Sequence, residues 1–164
     1  MNSMVEYRIA SRKDLEQIWE MNIADNAGDE RWVGWKNQVI QDNQNGRAFT
    51  FVVTYDGSPI GEGTLILSPE CGATNGRMHL ADNKNIANIN ALRIRKEHEG
   101  KGYISTLVQT IERYAAQNNY KCLTIGVEAK ETRNLAIYLH WGYNIYVTSE
   151  IEDGELVLYY AKNI

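Results

Sequence analysis

The sequence predicts one domain of mixed α/β class over residues 1–164, with a central β-sheet and helices on both faces. Three observations carry that expectation. Short apolar runs with period-2 alternation are interleaved with stretches of helical spacing. The stretch IANINALRIRKEHEGKGYISTLVQTIERY, Ile86 to Tyr114, passes from a strand through a charged turn and a Gly-x-Gly into a helix. No repeat, linker or low-complexity segment interrupts the chain. A sheet layered with helices on both faces buries every apolar stripe at once.

Val5 to Ala10 reads as a first strand. Ser11 then caps a helix, and Asp14 three residues on gives a shortened capping box. Leu15, Ile18, Trp19 and Ile23 form the buried stripe of that helix. ADNAGDE is a loop, and a second helix covers Arg31 to Asp42 with Trp32, Trp35 and Val39 on one side. Ala48 to Tyr55 and Ile60 to Leu67 are strands joined by the hairpin turn Asp56-Gly57-Ser58-Pro59. Ser68 to Asn85 is a long polar loop, of a length at which loops are often functional or mobile. After the Ile86 strand and the Gly-x-Gly helix, Leu123, Ile125 and Val127 alternate as a further strand. RNLAIYLHWGY is a helix ending at Gly142, and a last hairpin, Ile145 to Glu150 and Glu155 to Tyr160, turns at Asp153-Gly154. The predicted order is β-α-α-β-β-β-α-β-α-β-β.

The Ile86 strand changes phase. Ala87 and Ile89 alternate in one register, Leu92 and Ile94 in the other. A slip of one residue is the signature of a β-bulge, against the plainer alternative of an edge strand whose solvated face carries Asn88 and Asn90. The helix that follows begins near Gly102, with Ile104, Leu107, Val108, Ile111, Tyr114 and Ala115 on one stripe. Free N–H groups at its start, the flexible Gly100 and Gly102, the charge of Lys101 and the hydroxyl of Ser105 together make a phosphate site. The pair of glycines alone is equally the mark of a tight turn. The turn is neither a Walker loop nor a dinucleotide fingerprint, because the Gly-Lys-Ser/Thr ending and the third glycine are both missing.

LRIRKEHEGKG and the turn after it resemble the coenzyme-binding motif of the GNAT family, the Gcn5-related N-acetyltransferases. That motif is Gln/Arg-x-x-Gly-x-Gly/Ala after a bulged strand. Gly102 takes the central glycine, Glu99 stands where Gln or Arg is usual, Ile104 where Gly or Ala is usual, and Lys96 replaces a proline. Tyr138, Gly142 and Tyr143 resemble the Tyr-x-x-x-Gly-Phe/Tyr end of the family's last helix. The element order is also the family's, so the resemblance spans essentially the whole chain. It implies acetyl-CoA as co-substrate. The coenzyme contacts it implies come from Leu92, Arg93 and Ile94 at the strand end and from Glu99, Gly100, Lys101, Gly102, Tyr103, Ile104 and Ser105 in the turn. Asn134 and Tyr138 would complete them from the last helix. It also implies that the bulged strand and its parallel neighbour splay apart to admit the coenzyme.

Acetyl transfer to an amine needs a neutral amine, a polarised thioester carbonyl, a proton for the departing thiolate and close positioning of the two reactants. A backbone N–H near Leu92 is the candidate for the carbonyl and Tyr138 the candidate acid. Glu128, Asn90 and then Glu62 are the candidates for deprotonating the amine, directly or through water. The acceptor expected is an amine of a small molecule or peptide. Asp25, Asp29 and Glu30 beside Trp32 and Trp35 would suit a cationic one, or form a solvated loop beside two core tryptophans. A coenzyme-binding sensor without turnover is the alternative, and an unrelated nucleotide-binding protein a third.

Composition narrows the field further. A net charge of −4 argues against a nucleic-acid partner, and no run of about 18 apolar residues predicts a membrane span. MNSMVEYRIAS lacks the pattern of a secretory signal, and Cys71 and Cys122 supply no disulfide framework, which points to the cytoplasm. Cys122 is expected as a small buried hydrophobe and Cys71 as a free thiol in a polar loop. His79, His98 and His140 show no metal spacing. A homodimer is left open.

Overall fold

The computed structural model describes residues 4–164; Met1–Ser3, the start of the segment expected to lack a signal, lie outside the described residues. Strand alternation sets the architecture. β1 (Val5–Ile9), β2 (Ala48–Tyr55), β3 (Ser58–Ile66), β4 (Ile86–Ile94), β5 (Cys122–Glu128), β6 (Ile145–Glu152) and β7 (Glu155–Asn163) form one sheet in the order β1-β2-β3-β4-β5-β7-β6. The helices are α1 (Arg12–Asp25), α2 (Arg31–Gln44), α3 (Tyr103–Gln117) and α4 (Thr132–His140). The expected element order is found, with one added 3-10 turn at Lys96–His98. Only β4 and β5 pair in parallel; every other neighbouring pair is antiparallel.

The local signals act as anticipated. The Ser11 hydroxyl accepts from the Asp14 N–H at 3.1 Å, and the Asp14 carboxylate accepts from the Ser11 N–H at 2.8 Å, so the capping box closes. Asp14 also pairs with Arg8, which ties the start of α1 to β1. Asp56 (φ 48°) with Gly57 (φ 87°), and Asp153 (φ 50°) with Gly154 (φ 81°), are left-handed pairs that make two-residue hairpin turns.

The two faces of the sheet differ in chemistry. On one face Phe51, Val53, Leu65, Ala87, Ile89, Leu123 and Ile125 meet Leu107, Val108, Ile111 and Ala115 of α3, and this is the main hydrophobic core. The other face, toward α1 and α2, carries a row of buried polar side chains: Thr50, Glu62, Thr64, Asn88 and Thr124. They bond among themselves, Thr50 to Thr64 at 2.9 Å and the Asn88 amide to Thr124 at 2.9 Å. Buried polar groups need such partners.

Two expectations are corrected. The Ser68–Asn85 segment is packed, not loose: Cys71, Thr74, Leu80 and Ala81 are buried, and Arg77 clamps it to Glu150 and Glu152 of β6. Its polar composition hid these contacts, because Thr74 and Arg77 turn inward to cap the segment's own carbonyls. Cys71 is a free thiol as expected, yet buried, and burial pushes its pKa up to about 12. Cys122 is only half-buried.

Candidate active site

The site begins with the bulge. Thr64 pairs with Asn90 and Glu62 with Arg93, so Ala91 and Leu92 together oppose Gly63. Ala91 takes the left-handed conformation, φ 59°, and its N–H is held by the Asn90 side-chain oxygen at 2.8 Å. A Cβ on Gly63 would sit 2.7 Å from the Leu92 Cδ2, so a glycine there gives Leu92 room to turn into the core.

The bulge coincides with the end of parallel pairing. β4 and β5 are matched from Ile86–Cys122 to Ile89–Ile125 and no further, although β5 stays paired with β7 as far as Glu128. The expected splay is therefore present, and the β4 edge beyond Ile89 has no strand beside it. A small cleft of about 150 Å³ fills this mouth, lined in part by Asn88, Asn90, Gly126, Val127 and Glu128.

The phosphate turn lies beyond the end of β4. Gly100 (φ 75°) and Gly102 (φ 80°) are both left-handed, and a Cβ on either would meet no protein atom within 4 Å. Glycine is required there by backbone conformation, and the space above it is open. Gly102 is the N-cap of α3, whose first turn leaves the Tyr103, Ile104 and Ser105 N–H groups without intrahelical acceptors. His98 stacks between Tyr55 at 5.3 Å and Tyr103 at 6.2 Å, and Arg95 pairs with Asp25 at 2.6 Å, so the turn is braced from both sides. Ile104 packs toward the core, and Glu99 and Lys101 are exposed.

On the opposite face of the sheet, under α1 and α2, lies a cavity of about 870 Å³. Trp19, Trp32 and Trp35 form one wall, with Trp32 edge-on to Trp35 at 5.1 Å. Glu128, Lys130, Glu152, Asp153 and Glu155 form the other, where Lys130 bridges Glu155 at 2.7 Å and Glu128 at 3.5 Å. Thr64, Asn90, Ala91 and Arg93 are its floor.

The structure brings Asn90 and Glu128 together at the mouth of the gap, while Glu62 is set apart. Glu62 is fully buried, receives the Asn22 amide at 2.7 Å and pairs with Arg93 at 3.3 Å; burial raises its pKa despite Arg93. Tyr138 does not line the cavity. It packs on the α3 side of the core and stacks on Trp141 at 5.6 Å, and burial raises its pKa. Tyr143, its motif partner, donates to Glu112 of α3 at 2.9 Å and so fastens the end of α4. Asn134 is exposed on the first turns of α4.

Some side chains point elsewhere than the sequence implied. Leu92 and Ile94 are half-buried and pack their side chains against the core, which leaves backbone for a coenzyme. The Arg93 side chain faces the cavity and not the phosphate turn, because the bulge shifts its phase. Asp25 and Asp29, which would suit a cationic acceptor or form a solvated loop, are paired with Arg95 and Arg31. Sequence reasoning missed the Glu152–Glu155 wall and the Arg93 cluster. The available signal was a charge inside each of two apolar strands, Glu62 and Arg93.

The sequence profile of the Acetyltransferase (GNAT) family matches residues 13–143. A GNAT-family acetyltransferase from Desulfovibrio desulfuricans, described as putative, superposes with a TM-score of 0.76 at 9% identity, covering 98% of this chain and 99% of that one. The PaiA N-acetyltransferase from Thermoplasma acidophilum, in complex with coenzyme A, gives 0.66 at 17% identity over 98% and 99%. A GNAT acetyltransferase from Elizabethkingia anophelis with acetyl-CoA bound gives 0.62 at 14% identity over 98% of each chain. A comparison with curated proteins finds no match. The bulged and splayed strand, the glycine turn capping α3 and the matched profile agree, and the chain belongs to the GNAT acetyltransferase family.

Proposed function

We propose that this protein is an acetyl-CoA-dependent N-acetyltransferase acting on an amine of a small molecule or peptide. The observation that carries the proposal is the position of the gap between β4 and β5. The open N-terminus of α3 belongs to one face of the sheet and the large cavity to the other, and the gap opens the sheet between those faces. A coenzyme whose pyrophosphate rests on the α3 N–H groups would reach the gap with its thioester, and an acceptor in the cavity would meet it there. The amine lone pair attacks the thioester carbonyl beside the bulge, where Leu92 supplies backbone. The carbon–sulfur bond breaks, Tyr138 protonates the thiolate, and the amine proton leaves to Glu128 or to a water that Asn90 positions. Burial raises the pKa of Tyr138, so its hydroxyl is protonated at neutral pH and has a proton to donate.

The alternative, coenzyme binding without turnover, would rest on Glu99 and Ile104, the two departures from the family's motif. The inward packing of Ile104 weakens it, since the added bulk does not cover the helix start. Incubation with acetyl-CoA and a panel of amines, followed by thiol release, tests the proposal. Acetyl-CoA at ~100 times its dissociation constant should also add ~2.7 kcal/mol of stability. A melting temperature raised by NAD or ATP but unmoved by acetyl-CoA refutes the coenzyme assignment.

A further inference from the structure

We infer that Arg93 is the anchor for an anionic group on the acceptor, so that the amine taken by the cavity belongs to a molecule bearing a carboxylate. The inference rests on the acyl-transfer proposal for the word acceptor, and on the cavity alone for the anchor.

The guanidinium is held as a recognition group would be. It lies 4.8 Å from the ring centre of Trp32 and 5.4 Å from that of Trp19, and its side chain is 31% exposed on the cavity floor. One nitrogen, Nη1, approaches Glu62 at 3.3 Å, without the geometry of a hydrogen bond. The guanidinium has five N–H donors in a planar fork. Apart from this approach to Glu62, none of them is bonded to an acceptor among the described residues. Trp19, packed on the same group, likewise buries its indole N–H without one. Two side chains with unbonded N–H donors therefore meet at a cavity floor whose own side-chain acceptors, on Thr64 and Asn90, are already engaged by Thr50 and the Ala91 N–H.

A role purely as counterion to Glu62 accounts for less. Glu62 is fully buried and receives the Asn22 amide on Oε2, so only Oε1, which faces Nη1, is left for the pair, and that calls for one guanidinium nitrogen. A counterion also needs no tryptophan clamp, whereas a ligand fork gains from one, because the rotamer is fixed before binding. The positions agree with the direction of the chemistry. Asn90 and Arg93 share a face of β4, with Asn90 at the gap and Arg93 deeper under α1. An acceptor would present its amine at the gap and its carboxylate to Arg93, with its body against Trp32 and Trp35.

The tryptophans beside Arg93 give a binding signal that does not depend on turnover. Intrinsic fluorescence would be titrated with γ-aminobutyrate against n-butylamine, and with glycylglycine against glycinamide, without acetyl-CoA. The carboxylate member of each pair should bind at least tenfold tighter. The charge-balanced double variant Arg93→Met, Glu62→Gln should abolish that preference. Arg93→Lys keeps the ion pair, and with it the fold, but loses the fork; it should cut the preference at least threefold. Equal binding of both members by the wild-type protein, or full preference in either folded variant, overturns the inference. Thiol-release assays on the same pairs separate the two proposals. A carboxylate preference in binding without any acetyl transfer leaves the anchor standing and removes the activity. Acetyl transfer without any carboxylate preference does the reverse.

Discussion

Ile89 and Leu92, three residues apart on one strand, point into the same core, because Ala91 between them adopts a left-handed backbone conformation. Regular pleating would place residues three apart on opposite faces. The same shift turns Arg93 to the cavity, so one strained residue sets both the packing of Leu92 and the furnishing of the acceptor side.

Ala91 should therefore respond to substitution in opposite directions. A left-handed conformation costs a residue with a Cβ about 1–2 kcal/mol relative to glycine. Ala91→Gly is expected to be neutral or to stabilise by up to ~1 kcal/mol after the entropy of the unfolded chain is counted. Ala91→Val, branched at Cβ, should lose ~2 kcal/mol. Urea unfolding of the two variants decides the matter, and a valine variant as stable as wild type would show that the strain is absent.

Gly102 is the corresponding test of the phosphate turn. No protein atom blocks a side chain there, so the folding penalty of Gly102→Val is confined to backbone strain of about 1–2 kcal/mol. The outward Cβ would project into the open space above the α3 N–H groups. Acetyl-CoA affinity should fall more than tenfold by calorimetry while the fold survives. Wild-type affinity in a folded variant would place the pyrophosphate elsewhere.

Tyr138→Phe keeps the ring stacked on Trp141 and removes only the hydroxyl. Loss of a general acid typically costs on the order of 100-fold in turnover. Coenzyme affinity should hardly change, because the glycine turn is untouched. A turnover within about threefold of wild type, with chemistry shown to limit the rate, would exclude the acid role.

Asp14 links the capping box to Arg8 and makes stability depend on acid. Burial alone would raise its pKa, but hydrogen bonds from Arg8 and Ser11 outweigh that and hold it below the ordinary carboxylate value. With the folded pKa depressed, the stabilisation is complete above the unfolded value of about 3.9 and is lost as pH falls through the folded one. Asp14→Asn should cost about 1–3 kcal/mol at pH 7, and the difference from wild type should shrink in strong acid. Unfolding curves across the acid range would show this, and a pH-independent difference would contradict it.

The elements were legible because periodicity is local. The phase slip at Ile89–Leu92 revealed the bulge, and Gly100 and Gly102 revealed the turn, from neighbouring residues alone. What stayed hidden depends on contacts distant in sequence. Glu62 and Arg93 each look like the outward residue of an alternating strand, yet α1 covers that face with Asn22 and Trp19. Trp32 and Trp35 lie on the expected side of α2, but that side borders a cavity instead of a filled core. The pairing of Asp25 stayed hidden because its partner, Arg95, is 70 residues away in the chain.

The short parallel ladder between β4 and β5 has a mechanical meaning. β1 to β4 form one continuous antiparallel unit and β5 to β7 another, and among the described residues the sheet ladder that stitches them together is the four pairs from Ile86–Cys122 to Ile89–Ile125, extended at one end by the Asn85 carbonyl. The remaining length of that seam is open. A coenzyme lying in it would act as a fastener, adding cross-links that the backbone does not provide. The amides of Ile86 to Ile89 would then be the place where a loaded molecule differs most from an empty one in its rate of exchange with solvent.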